Sequence, residues 1–329
     1  MKKQAFPDGV LVVDKTEGPT SHDVVTLARR ALGVSRIGHT GTLDPMATGV
    51  LPLVIGRATR LAQFLTASDK TYEATIAFGR TTDSYDASGK VVTTCDRRPA
   101  RADLDAAIAA FRGTFDQTPP AFSAKNIDGE RAYVLARKAA RSAEAHSAVA
   151  GDARRTPGTM TRPTAVAVTV KRLEILSFDG ETARLDMQAT AGFYVRSLAH
   201  DIGEALGCGA VLTALRRTRS GEFGLDRAVP LADVLQAPRE SLTSRLVPFR
   251  DLLPELPSVR LRSASQLERL KNGVEMAPSD LVTPFAFPTS SSPEAPQVIV
   301  RLLGPEGDLV GLAKPGKTPG CLHGWVVLG

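Results

Sequence analysis

The chain has 329 residues, of which 43% are hydrophobic and 23% charged. At about 150 residues per domain this length predicts roughly two domains, and the near-average composition excludes collagen-like, mucin-like and disordered classes. Lysine and arginine number 41 against 35 acidic residues, a net charge of +6, which suits a polyanionic partner without specifying one.

Taken in chain order, residues 9 to 14 (GVLVVD) read as a short buried strand. Gly18, Pro19 and Thr20 then turn the chain into a helix, with Ser21 as N-cap, Val24, Leu27, Ala28 and Ala31 at helical spacing and Gly33 as the stop. A loop from Arg36 to Gly49 leads into the apolar run LPLVIG and a helical pattern through Leu61, Phe64 and Leu65, and residues 71 to 79 alternate like a half-buried strand. Further strand signals lie at 164–170, 181–190, 297–303, 309–313 and 325–328, and residues 193 to 206 read as helix. The class is α+β, with a large region to about residue 250 and a small β-rich carboxy-terminal module.

Two stretches resist folding. Residues 139 to 160 are rich in Ala, Ser, Arg, Gly and Thr and predict a mobile surface insertion, and residues 283 to 296, with four prolines and three consecutive serines, predict another loop. The first lies in a segment, residues 112 to 172, that holds 11 basic and 5 acidic residues and so carries the whole net charge. Such a concentration is what phosphate contacts require, and it is equally what a solvated surface face shows.

Cys95, Cys208 and Cys321 are far apart and odd in number, and the five histidines show no metal-ligand spacing. Neither a disulfide framework nor a metal site is expected. Pro7 and Asp8 interrupt the apolar stretch near the amino terminus, and the longest apolar run elsewhere is too short to span a bilayer, so a cytoplasmic protein is expected.

The segment GHTGTLDPMATGVLP, residues 38 to 52, specifies backbone shape rather than core. Gly38, Gly41 and Gly49 allow conformations or close approaches closed to other residues, and Pro45 restricts Asp44 to an extended or turn conformation. Asp44 is thereby held in a polar loop, either capping a turn or serving as a catalytic carboxylate. With no second carboxylate nearby, a two-carboxylate glycosidase is disfavoured.

That segment, together with VDKTEGPTSHDVV (13 to 25), SDKTYEA (68 to 74), GFYVRSLAHDIGEALG (192 to 207) and LRRTRSGEF (215 to 223), closely resembles the TruB family of bacterial tRNA pseudouridine synthases, which act on the T-loop uridine at position 55. The motifs stand in family order from residue 9 to about 250. The resemblance implies a pseudouridine synthase catalytic domain with a mixed β-sheet core over residues 1–250, with a basic RNA-gripping insertion at about 120–162. A small β-rich PUA-like RNA-binding domain is implied over residues 251–329. It also implies tRNA, through its T-arm, as partner, with no cofactor, no metal and no obligatory protein partner.

Carried over by motif, the resemblance makes Asp44 the catalytic carboxylate, acting either on C1' as nucleophile or on C2' as base. Arg196, in FYVRS, is the cation that keeps it ionised, and Tyr72, in DKTYEA, stacks on the uracil and assists proton removal from C5. His39 enters the RNA where the extruded base had been, Tyr194 is a second active-site aromatic and Leu215 lines the pocket. Lys125 supports the active-site loop or contacts phosphate, and Arg216, Arg217 and Arg219 contact the RNA backbone. A second expectation from the same residues is an RNA-folding factor that binds tRNA without catalysis, although such a factor would not need Asp44, Tyr72 and Arg196 together. A third is the related guide-RNA enzyme of archaea and eukaryotes, whose extended basic termini this chain lacks.

Overall fold

The computed structural model describes residues 6–121, 126–127, 130–131, 164–283, 285 and 298–328. In chain order these form β1 (Gly9–Lys15), α1 (Ser21–Leu32), β2 (Ile37–His39), β3 (Thr48–Ile55), α2 (Ala62–Thr66), β4 (Lys70–Phe78), β5 (Arg80–Thr82), β6 (Val91–Thr94), α3 (Arg101–Ala109) and β7 (Gly113–Gln117). They continue with the short β8 (Asn126–Ile127) and β9 (Glu130–Arg131), then β10 (Val166–Phe178), β11 (Thr182–Ala189), α4 (Val195–Ala205), β12 (Ala210–Ser220), β13 (Phe223–Gly224) and β14 (Val229–Pro230). After two short helices, α5 (Leu231–Gln236) and α6 (Arg239–Thr243), the chain ends in β15 (Ser258–Arg260), α7 (Ala264–Lys271), β16 (Val300–Leu303), β17 (Leu309–Pro315) and β18 (Leu322–Val327). Two compact units result, one from Met1–Pro45, Gly49–Ala67 and Ser220–Gly329, the other from Met46–Thr48 and Ser68–Arg219.

In the first unit β1 runs antiparallel to β3, from Gly9 opposite Ile55 to Lys15 opposite Gly49, and parallel to β14, so this sheet is mixed. Its GVLVV residues are buried without alternation, as a strand covered on both faces must be. Helix α1 buries Val24, Val25, Ala28 and Leu32, the spacing of one helical face. Its N-cap is Thr20 and not Ser21: the Thr20 hydroxyl accepts from the Asp23 amide while the Asp23 carboxylate accepts from the Thr20 amide, a reciprocal capping box. Gly33 closes the helix in the left-handed conformation, φ 61°.

The carboxy-terminal strands of the same unit form a separate four-stranded sheet, β15-β16-β17-β18, over a core of Val259, Leu261, Leu270, Met276, Val300, Leu302 and Leu322. From its other face Leu309 and Leu312, joined by Leu328, enter a second core with Val10, Val12, Val54, Leu61 and Phe223. The Trp325 ring meets Phe64 edge-on at 5.1 Å, and Arg57 Nη1 donates to the Leu328 carbonyl at 2.8 Å.

In the second unit the strand order is β12-β4-β11-β10-β7. Strand β4 alternates as expected, burying Lys70, Tyr72, Ala74, Ile76 and Phe78, and it pairs antiparallel with β11 from Lys70 opposite Ala189 to Ala77 opposite Thr182. Helix α4 packs against α3 and buries most of its first turn, including Arg196 and Ser197. The stretch 139–160 lies outside the described residues, as does 283–296 apart from residues 283 and 285. Among the described residues no helix is long and apolar enough to cross a membrane.

Candidate active site

Both neighbours of Asp44 are clamped by the segment that follows β1. Lys15, wholly buried at the end of that strand, donates its ammonium protons to the carbonyls of Thr16 (3.0 Å) and Pro45 (3.2 Å), and the Gly18 amide donates to the Pro45 carbonyl at 2.9 Å. Ser21, displaced from the cap position by Thr20, is buried instead: its Oγ accepts from the Leu43 amide at 2.8 Å and donates to the Leu43 carbonyl at 3.1 Å. Leu43 and Pro45 are thus tied to the stretch from Lys15 to Ser21, which leaves the half-buried Asp44 between them with little freedom to move. Gly41 and Gly49 adopt φ of 106° and 99°, closed to other residues, whereas Gly38 has no positive φ and a Cβ there would meet Val54 only at 3.7 Å.

Arg196 opens α4 with only 5% of its surface exposed, which excludes an ordinary surface charge. Its Nη1 donates to the Ser84 carbonyl at 3.0 Å and lies 3.7 Å from the Asp86 carboxylate. Asp86 is itself 5% exposed, and its Oδ1 accepts from Ser84 Oγ (2.9 Å), the Ser88 amide (3.0 Å) and Ser88 Oγ (2.5 Å). The Tyr85 carbonyl and Ala87 amide bond both sides of Leu212 in β12, which anchors this loop to the sheet. Between them Tyr85 takes φ 65°, rare for a bulky residue, and its ring stacks on His200 at 3.9 Å, one helical turn beyond Arg196. The next residue, Asp201, is pushed up to about 6 by burial and, secondarily, by Glu204.

Tyr72 is 9% exposed on β4, and strand β12, which carries Arg217, is its neighbour in the sheet. Arg217 is 1% exposed, and burial pulls its pKa down while the electrostatic influence of Tyr72 acts in the opposite direction. On the same face of β4, Lys70 is brought to about 8 by burial and then by the Arg217 charge, with Asp69 acting in the opposite direction.

These motifs agree with what the chain is similar to. Residues 29–150 match the model described as TruB family pseudouridylate synthase (N terminal domain), and residues 196–253 match the tRNA pseudouridylate synthase B C-terminal domain. The chain is 42% identical over 323 residues to a protein of Solibacter usitatus named tRNA pseudouridine synthase B, covering 98% of this chain and 100% of the relative. The chain belongs to the TruB family. A protein of Opitutus terrae with the same name is 43% identical over 250 residues, 76% of this chain and 96% of the relative. Among solved structures, a protein of an H/ACA RNP bound to a substrate RNA containing 2'-deoxyuridine shares the fold with TM-score 0.70 and 23% identity, over 99% of this chain and 86% of that one. The archaeal box H/ACA sRNP Nop10-Cbf5 complex gives 0.69 at 24% identity, over 100% and 89%.

The remaining TruB motif residues are placed as follows. His39 is half-buried at the end of strand β2 rather than in a loop, opposite Leu53. The half-buried Tyr194 caps α4, its backbone clasped by the buried Gln117 amide, which accepts from the Tyr194 amide (2.8 Å) and donates to its carbonyl (3.0 Å). Half-buried Arg216 places Nη1 3.4 Å from Thr48 Oγ1, and Arg219 is exposed. Arg217, expected at the RNA backbone, is 1% exposed and so offers almost no surface to a phosphate. Lys125 lies outside the described residues. Lys15, Asp86 and Gln117, each buried and each fixing a motif residue or its neighbour, were not singled out from the sequence, and Ser21 was read only as a helix cap. Lys15 alone carried a signal, a charge paired in sequence with Asp14 at the end of the apolar run GVLVV. Among the described residues no group of three or more His, Cys, Asp or Glu could hold a metal ion.

Proposed function

We propose that the chain converts the T-loop uridine of tRNA to pseudouridine, acting through the T-arm in the cytoplasm, with residues 1–250 carrying catalysis and the 251–329 module contributing RNA contacts. The observation that carries the reading is the double clamp on Asp44: Lys15 and Gly18 hold Pro45, and Ser21 holds Leu43. A carboxylate fixed from both sides is what attack on one ribose atom requires. Relatives named tRNA pseudouridine synthase B over nearly the full chain favour catalysis over a binding-only role.

In this reading the target nucleotide is extruded from the T-loop, at a cost of roughly a few kcal/mol of lost stacking, and His39 occupies the space it leaves. Asp44 acts at the ribose, the N1–C1' bond breaks, and the uracil turns and rejoins through C5. Tyr72 packs on the ring and assists loss of the C5 proton, while Arg196, oriented by Ser84 and Asp86, supplies a fixed positive charge. Tyr194 completes the aromatic lining, and Arg216, Arg219 and Lys125 meet the backbone.

The test is to incubate the purified protein with an unmodified tRNA transcript, and separately with its T-arm hairpin, and to map pseudouridine by nucleotide. Product at the T-loop uridine in both RNAs is expected. Product elsewhere, or in the full tRNA alone, contradicts the T-arm assignment.

A further inference from the structure

We infer that Tyr85 and His200 are positioning residues of the active site: their stacked rings hold the Ser84 carbonyl against Arg196 and so set the direction of the guanidinium. The inference rests on the catalytic role given to Arg196 above. It starts from one peptide plane. Arg196 Nη1 donates to the Ser84 carbonyl at 3.0 Å, whereas the next carbonyl along the chain, that of Tyr85, accepts from the Leu212 amide at 3.0 Å. The Ala87 amide donates to the Leu212 carbonyl at 2.9 Å, and Asp86 pairs with Leu212 in a parallel bridge, so the loop beyond Tyr85 is fixed to β12. The peptide that carries the Ser84 carbonyl is planar, and the torsion joining it to this fixed part is φ of Tyr85.

That torsion is 65°, in the left-handed region that a bulky residue rarely enters. Relaxation to a negative φ would swing the Ser84 carbonyl away from the guanidinium, so the bond to Arg196 needs Tyr85 held where it is. A glycine would take this φ without strain, as Gly33 does at 61°. The aromatic residue adds a ring, and the ring has a partner: it lies 3.9 Å from that of His200 and within 7° of parallel, both residues half-buried. His200 stands one turn along α4 from Arg196. The helix that carries the guanidinium therefore also carries the surface on which the loop is braced. Asp86, 3.7 Å from Arg196 Nη1, meets its charge, and the braced Ser84 carbonyl meets its direction.

The test measures single-turnover pseudouridine formation at saturating enzyme, tRNA affinity and melting temperature for wild type, Tyr85→Ala, His200→Ala, the double variant, Tyr85→Phe and Tyr85→Gly. Each alanine variant is expected to slow the chemical step about fivefold to tenfold, roughly what one aromatic pair contributes, with affinity unchanged. The double variant is expected to be less than twofold slower than the slower single one, because both substitutions remove the same contact. Tyr85→Phe keeps the ring and is expected to recover the rate to within about twofold of wild type; Tyr85→Gly, free of strain but without a ring, is expected to stay slow. Recovery in Tyr85→Gly, or a full multiplicative loss in the double variant, would overturn the inference. Unchanged rates in the alanine variants, or a loss of affinity in place of rate, would overturn it equally. The arrangement is also read without activity, in protein labelled with heavy nitrogen at arginine. The Arg196 Nε–H resonance, assigned through Arg196→Lys, is expected to move in both alanine variants and to return in Tyr85→Phe. A stack that serves stability alone would lower the melting temperature and leave this resonance in place, and that result sinks the positioning role. Wild type that makes no pseudouridine, but whose Arg196 resonance responds as expected, would contradict the proposed function and leave the positioning of Arg196 standing.

Discussion

Lys70 shows how one buried charge writes itself into stability. Its folded-state value of about 8 lies below the ordinary 10.5, so between those limits the unfolded chain binds more protons than the folded one. Stability contributed at this position therefore rises with pH from about 8 to 10.5, and the burial penalty is fully present below 8. Thermal melts of wild type and Lys70→Met at pH 8 and pH 10 check it: the wild type is expected to gain on the variant as pH rises. A constant difference between the two contradicts the assignment. Asp201 has the opposite sense, since its raised value of about 6 makes the folded state retain a proton that the unfolded state has released, so its contribution falls as pH rises from about 4 to 6.

At the scale of elements, the first turn of α1 separates two adjacent hydroxyls by role. Thr20 caps the helix at an exposed position, and Thr20→Ala is expected to cost about 1 kcal/mol of stability with little effect on turnover. Ser21 is buried and holds Leu43, so Ser21→Ala leaves a buried amide unpaired at about 1–3 kcal/mol and is also expected to slow the chemical step by loosening Asp44. Melting temperature and single-turnover rate on both variants decide the point; equal rates would detach the clamp from catalysis. Adjacent hydroxyls explain why the cap was misassigned: Thr and Ser are both strong N-cap residues, and only the tertiary contact to Leu43 distinguishes them. Elements with a clear period were legible, as β4, α1 and the start of α4 show, and so was β1 with its unbroken apolar run. Strand β12 was not, because TALRRTRS presents adjacent arginines whose opposite fates, buried Arg217 and half-buried Arg216, depend on what packs against each face. Asp86 escaped for the same reason, since nothing local in TTDSYDASG reveals that Arg196 lies across from it.

At the scale of the molecule, the ends of the chain share a core. Leu309, Leu312 and Leu328 pack with Val10, Val12, Val54 and Leu61, so a chain ending at residue 250 would bare this face. Each large aliphatic side chain so exposed forfeits about 1.5–3 kcal/mol, and residues 1–250 alone are expected to melt well below the full chain or to aggregate. An unchanged melting temperature would show that the module is a freely separable appendage.

The central claim is that a clamped Asp44 performs the isomerisation. The most direct measurement is single-turnover pseudouridine formation on the T-arm hairpin by wild type and Asp44→Asn, at enzyme concentrations above the dissociation constant measured for each. Conversion by wild type, with none by Asp44→Asn despite comparable binding, is the predicted result. Conversion by Asp44→Asn at the wild-type rate would contradict the account.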